Sequence, residues 1–556
     1  MSIDNVFKRI DNKNLTGILF LLAQAIFTIN YLRLPAFGFV GLLKALMLPA
    51  ILLAFCIAIN MDIFKDIEWR KAKPTVSHKV MIFFLLGFLG IFSGLSLLTI
   101  NLHIPLVMLI VCLSISYLWM LYFEFSGNLD KAVYIFFICF PLLNLAEYWL
   151  GITKQTFEGG IVFTPTVFFL LSLFLGIFIQ ARANKIVLSR IQIAAFICLG
   201  VFLLSGLVSA SLSIAPWESF CEYILQYIYP MLMLPIVFLS INSIEKIKKC
   251  INILILSSTF NVVLFFYLFQ RFGQGVTNII DVYGASLTSG ISSGTMGNLV
   301  LFIFPLILFM IFTERNNVRR CIYGVVFLLG SFLLTITFSR SDLISFLLGT
   351  MVFVFTRKIK ESLIIIAIVG LLLAAISFLL LGDAASNRYL TILSGFKDIS
   401  SQARLNAWSG AVDMIKDYPI FGIGAGMWDK YVSQYVPTQH INFLISEGKW
   451  AKGYIVDPHN LFLKIYLEAG IVGFLSWIGF IVVSITGAFT FISQSFSKSK
   501  YMFYLGIVFL AFIIANSTKQ MSGWRFVNSE GIFLSSLVYW GINGLFFRAI
   551  NINETK

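Results

Sequence analysis

The stretch IQIAAFICLGVFLLSGLVSA (residues 191–210) runs for twenty residues without a single charged side chain. Wound as a helix rising about 1.5 Å per residue, it covers roughly 30 Å, the thickness of a bilayer's hydrocarbon core. Comparable apolar stretches recur near residues 15–32, 36–60, 80–98, 104–123, 132–149, 161–181, 221–241, 251–269, 296–313, 321–338, 342–356, 363–381, 470–491, 501–516 and 531–548. In hydrocarbon every backbone polar group needs an internal partner, and a helix supplies one within each span. The expected fold is therefore all-α: a polytopic integral membrane protein of roughly 12–16 transmembrane helices, with a large periplasmic loop containing short helices. The 556 residues agree, being 59% hydrophobic and 12% charged, against about 25% charged residues in ordinary soluble domains. Their mean hydropathy is +0.92.

A net charge of +14 raises the question of nucleic acid, and its distribution answers it. With the N-terminus cytoplasmic, the cytoplasmic tails and loops hold 25 Lys and Arg, the external ones 13, and Lys44 and Lys464 complete the 40. Of the external 13, 7 lie in one long loop, so the short external loops are nearly free of basic residues. This is the bias that orients membrane proteins. It predicts both termini in the cytoplasm, a lipid bilayer as partner and no nucleic-acid footprint. The seven cysteines, at 56, 112, 139, 198, 221, 250 and 321, lie in or beside apolar spans and contain no CxxC pair. They read as small core hydrophobes rather than disulfides or metal ligands. The first span is expected to be a retained anchor, since it is too long for a signal h-region.

The chain divides into N-terminal helices (1–190), central helices (191–381), a polar segment (382–469) and C-terminal helices (470–556). The loop proper, 382–458, carries 7 basic and 7 acidic residues. Long loops between membrane helices are disproportionately functional. Within it SQARLNAWSGAVDMIKD (401–417) spaces Leu405, Trp408, Val412 and Ile415 at intervals of three and four, which predicts an amphipathic helix. Tyr418-Pro419 ends it, and Gly422, Gly424 and Gly426 form a turn. Asp457-Pro458-His459-Asn460 then opens a second helix, with Asp457 as N-cap and Pro458 in the first position. Gly470 ends or kinks that helix.

His459 in the first turn of a helix would feel a partial positive charge that disfavours imidazolium, leaving a neutral ring able to accept a proton. Asp457 and Asn460 are near enough to orient it or a substrate hydroxyl. On the residues alone, the simpler and favoured reading is a polar histidine that only caps the helix at the membrane surface. Arg404 is either a solvated surface residue or a phosphate ligand, for which a planar guanidinium is suited. Arg340, in TITFSRSD (335–342), sits between two apolar spans with almost no loop. A charge there is costly unless it has a function or reaches water. Arg271 is a weaker candidate, and Lys464 pairs with Glu468 at i,i+4. No P-loop, HExxH, metal-binding acidic pair or EF-hand pattern occurs, and GIGAG (422–426) lacks the βαβ context of a dinucleotide site.

Together these positions resemble the O-antigen ligase and polymerase superfamily of bacterial envelope glycosyltransferases. His459-Asn460, nine residues (LFLKIYLEA) and Gly470-Ile-Val-Gly473 are similar to that family's His-Asn-x9-Gly-x-x-Gly motif. RLNAW (404–408), Pro419-x-x-Gly-x-Gly and Ser339-Arg340-Ser341 accompany it in the family's order. The resemblance is closest over roughly residues 290–480 and elsewhere lies mainly in hydropathy. It implies a glycosyltransferase of the bacterial inner membrane with a periplasmic active site. The donor would be a glycan on undecaprenyl diphosphate and the acceptor a lipid A-core or related hydroxyl, with no metal, nucleotide or other cofactor. Arg340 and Arg404 would bind the diphosphate; His459 would orient or deprotonate the acceptor; Asn460, Trp408, Arg271 and Asp457 would line the substrate site. Other envelope-polysaccharide assembly proteins are expected partners.

A repeat-unit polymerase for O-antigen, capsule or exopolysaccharide would use the same donor. Transfer to protein, or transport of polysaccharide, are the further alternatives. Transport is disfavoured because ionisable residues gather at external helix ends rather than through mid-membrane spans.

Overall fold

A computed structural model describes residues 104–149, 164–181, 187–272, 293–336, 339–355, 399–436, 458–497, 499–521 and 534–554. Every element among them is helical. The N-terminal group comprises α1 (Ile104–Phe125), α2 (Leu129–Trp149) and α3 (Pro165–Ala181). The central group comprises α4 (Arg190–Leu212), α5 (Pro216–Ser240), α6 (Ile244–Phe272), α7 (Ser293–Thr313), α8 (Asn317–Ile336) and α9 (Arg340–Met351). The loop supplies α10 (Ile399–Asp417) and α11 (Trp428–Tyr435), and the chain closes with α12 (Leu461–Ser495), α13 (Lys500–Gln520) and α14 (Leu534–Glu554).

Four of these, α4, α5, α12 and α13, are by themselves long and apolar enough to cross a membrane. The expected spans at 15–32, 36–60, 80–98 and 363–381 lie outside the described residues, and each of the others overlaps a helix.

Among the described helices, α12 packs against both α4 and α13, and α13 also carries α7 and α9. The α4–α12 pair runs antiparallel in a clear register. A methyl group added at Gly473 would lie 3.4 Å from the Ser205 hydroxyl, at Gly479 3.1 Å from Cys198, and at Gly487 3.0 Å from Ile191. Small residues at that spacing let two helices approach where no hydrophobic effect drives them together. The opposite face of α4 leaves Ile193, Ile197, Val201, Leu204, Val208 and Leu212 exposed. An apolar stripe at three-to-four spacing on a span of this length faces lipid.

Two breaks in helical geometry position the site. The run α5 contains a π-turn at Ile224–Ile228, a feature that re-aims side chains and is frequent at functional sites. In α12, Gly470 adopts φ 67°, ψ −172° inside an otherwise continuous helix. The expected kink is there, and it leaves nine residues before it and twenty-five after it. Twenty-five residues rise about 38 Å, so the segment beyond the kink alone spans a bilayer.

Candidate functional site

A helix interrupted at Gly470 loses the bond that Ile471 N–H would make to the Leu467 carbonyl four residues back. Both orphaned groups are taken up by the glycine turn of the loop. Ile471 N–H donates to the Pro419 carbonyl at 3.0 Å, and Ile423 N–H donates to the Leu467 carbonyl at 2.6 Å. The turn can come this close only because Gly422 (φ 75°) and Gly470 (φ 67°) lack side chains. A Cβ at Gly422 would collide with the Leu467 carbonyl, and one at Gly470 with the Ile420 carbonyl. The two glycine motifs, far apart in the chain, are thus one structural unit. Ser205 of α4 completes it, donating to the Ala469 carbonyl at 2.7 Å.

A buried polar network backs this junction. The Glu468 carboxylate accepts the Gly426 N–H at 3.0 Å and the Tyr227 hydroxyl, the latter presented by the π-turn. Lys464 lies 3.8 Å from Glu468, as the i,i+4 spacing suggested, and donates to Gln226 at 2.8 Å. Gln226 in turn donates to Glu222 at 2.6 Å. Charges buried to this degree persist only when paired and hydrogen-bonded, and here each has named partners.

On this frame sit the candidate residues. The helix α10 begins two residues before the expected start, and its buried face differs from the one read in its sequence. Ala407, Ala411 and Met414 pack inward with Ile423, Met427, Trp428, Val432 and Leu467, whereas Leu405 and Val412 stay exposed. The reason is size. A methyl at Gly410 would fall 2.9 Å from Val436 and 3.2 Å from the Tyr435 carbonyl, so the small side chains mark the closely packed face. Trp408 is half-buried, and its indole N–H donates to the Pro458 carbonyl at 2.6 Å. That bond holds α10 against the turn bearing His459. Arg404, also half-buried, lies one helical turn before Trp408 on the same helix.

The start of α12 corrects the expected capping. Asn460, not Asp457, is the N-cap: its side-chain oxygen accepts the N–H groups of Phe462 at 3.0 Å and Leu463 at 3.2 Å. His459 therefore precedes the helix instead of lying in its first turn, half-buried, with φ 50°. It is the one non-glycine residue with positive φ among the described residues. A residue held there is uncommon, and such backbones cluster at functional sites. Asp457 lies outside the described residues.

Arg340 is the first residue of α9, whose N-cap Ser339 accepts the Asp342 N–H at 3.4 Å. Its helix is fastened to α13 through a residue that the sequence reading did not single out. Lys519 forms a buried ion pair with Asp342 and donates to Ser341 at 2.7 Å. The available signal was a lysine in the last turn of an otherwise apolar span. Asp342 presses on Gly297 of α7, where a Cβ would collide with its carboxylate. Arg271 is the penultimate residue of α6. The Trp408 bond joins the helix that carries Arg404 to the His459 turn; Arg340 stands on α9, which reaches α12 through α13.

The fold and this junction define an all-helical, multi-pass membrane protein whose long loop is locked into a broken span. Residues 325–478 match the family model described as O-antigen ligase. That stretch contains Arg340, Arg404, Trp408, His459 and Asn460. The chain is also similar to proteins described as "Putative polysaccharide ligase". The Rickettsia typhi protein is 25% identical over 167 residues, 30% of this chain and 39% of the relative. The Rickettsia bellii protein is 21% identical over 315 residues, 56% of this chain and 72% of the relative. The Rickettsia felis protein is 22% identical over 192 residues, 34% and 46% respectively. The match thus spans less than half the length of the R. typhi and R. felis proteins.

Proposed function

We propose that this protein is an O-antigen ligase-like glycosyltransferase of the bacterial inner membrane, with both termini cytoplasmic and its site periplasmic. It moves a glycan from undecaprenyl diphosphate to a hydroxyl of a lipid A-core or related acceptor. The observation that carries this reading is the Trp408–Pro458 hydrogen bond, which sets the helix of Arg404 against the turn of His459. A cationic guanidinium and an imidazole on adjoining elements suit the two halves of the reaction. Arg404, with Arg340, binds the diphosphate and stabilises the charge that develops as the sugar–phosphate bond breaks. His459 orients the acceptor hydroxyl and takes its proton as the oxygen attacks the anomeric carbon. The diphosphate departs with the bonding electron pair, and a single displacement inverts the anomeric centre. Arg271 and Asp457 serve as outlying substrate contacts. A diphosphate is already a good leaving group, so no nucleotide or metal need enter.

The test is a strain whose only copy carries His459→Ala, examined for envelope glycan. Long lipid-linked polymer beside bare core supports the ligase. Core bearing a single repeat unit assigns the same site to repeat-unit polymerisation. Unchanged glycan in every fraction overturns the assignment of His459.

A further inference from the structure

We propose that the turn Tyr418–Phe421 is a re-entrant finger that inserts into the bilayer leaflet on the loop's side, with phospholipid acyl chains as its partner. This assignment is independent of the reaction proposed above.

Depth is the first argument. The turn sits against the kink of α12, since a Cβ at Gly470 would meet the Ile420 carbonyl. In the antiparallel register that places Gly473 on Ser205, Gly479 on Cys198 and Gly487 on Ile191, Gly470 is level with Val208. The helix α4 continues to Leu212, one further turn or about 6 Å. Val208 and Leu212 are both exposed, Leu212 at 62%, and α4 is a candidate membrane span. The turn therefore lies at a level where its neighbour still presents apolar side chains to lipid.

Surface chemistry is the second. Ile420 is 57% and Phe421 49% exposed, which is unfavourable in water for adjacent large apolar side chains. Just beyond the kink, Val472 and Leu475 of α12 are exposed as well, so the chain on both sides of the junction presents apolar side chains outward. Tyr418 and, on the neighbouring α5, Trp217 are exposed at the same end, the amphipathic rings expected at a membrane–water boundary.

Backbone satisfaction is the third. Irregular backbone survives at membrane depth only where protein supplies its hydrogen bonds. The Pro419 carbonyl and the Ile423 N–H are both taken by the broken ends of α12, and Pro419 has no N–H to satisfy. By contrast the polar side chains of Asp413, Lys416 and Asp417, on the preceding helix, are exposed, which sets the water-facing limit of the finger.

The test places benzoylphenylalanine at Phe421, at Ile420 and, as the water-facing control, at Asp413 of the full chain. Each protein is reconstituted in nanodiscs of phosphatidylethanolamine and phosphatidylglycerol, irradiated and analysed by peptide mass spectrometry. Monodisperse elution certifies folding, and the two finger positions guard against failure of either one. Phospholipid adducts several-fold more abundant at 421 or 420 than at 413 are expected. Equal yields at all three positions, or no lipid adduct at 420 and 421, overturn the proposal. In native membranes, exclusive adducts to another protein or to a polyprenyl chain also overturn it, because they assign the surface to a different occupant.

Discussion

His459 occupies a backbone conformation with φ 50°, which costs an L-residue on the order of 1–2 kcal/mol. Glycine would adopt it freely. His459→Gly is therefore expected to hold thermal stability within about 1 kcal/mol of the parent while transferase activity falls by several orders of magnitude. A stable but inactive protein in a detergent melting assay and a glycan-transfer assay would separate the imidazole's chemical role from a structural one. Asn460 is the converse case. Its side-chain oxygen caps two N–H groups of α12, so Asn460→Ala should lower stability by about 0.5–2 kcal/mol, and Asn460→Asp should restore it. Restoration of stability without activity would mean that the carboxamide also contacts substrate.

At the scale of elements, the broken helix and the glycine turn form a reciprocal lock. Gly470→Ala forces a side chain into the Ile420 carbonyl at a backbone angle that alanine resists. The expected outcome is loss of more than about 2 kcal/mol and release of the loop, read as new proteolytic cleavage near residues 418–426. Unchanged protease resistance would refute the lock. The turn between α7 and α8 gives a pH prediction. Burial pushes the Glu314 carboxyl up, but N–H donation from Asn316 and Arg315 and the nearby Lys248 and Arg319 outweigh it and hold the group below its ordinary 4.5. The depressed value means that ionised Glu314 contributes stability fully present above about pH 4.5, lost as pH falls through the folded value. A Glu314→Gln protein should melt lower than the parent at neutral pH, and the gap should close as pH drops below that range. A gap independent of pH would disprove the electrostatic origin.

Across the whole molecule, the arginine-bearing helix α9 is tied to the bundle by a buried charge pair, Asp342–Lys519. Removing one partner strands the other charge away from water. Lys519→Met should thus cost about 3–5 kcal/mol, whereas Lys519→Met with Asp342→Leu should recover most of that loss. Simple addition of the two single effects would show that the pair is not coupled. Activity need not return with stability, because Ser341 also loses its Lys519 contact and Arg340 stands beside it.

Hydropathy alone determined that this chain is a helical membrane protein, because a span must satisfy its own backbone and bury no charge it cannot pair. The loop helix, the kink at Gly470 and the Lys464–Glu468 spacing were legible as well, being local consequences of residue type and helical period. The remaining features depend on contacts distant in sequence. The face α10 buries follows Gly410 and its small neighbours meeting Val436, a steric fact that an apolar stripe does not encode. Asn460 caps α12 in place of Asp457, since the cap depends on where the chain turns, and Trp408 fastens that turn from 50 residues away. The partnership of Pro419 and Ile423 with Ile471 and Leu467 is of the same kind. Two glycine motifs look independent in the chain, yet the turn at one supplies the hydrogen bonds that the helix broken at the other has lost.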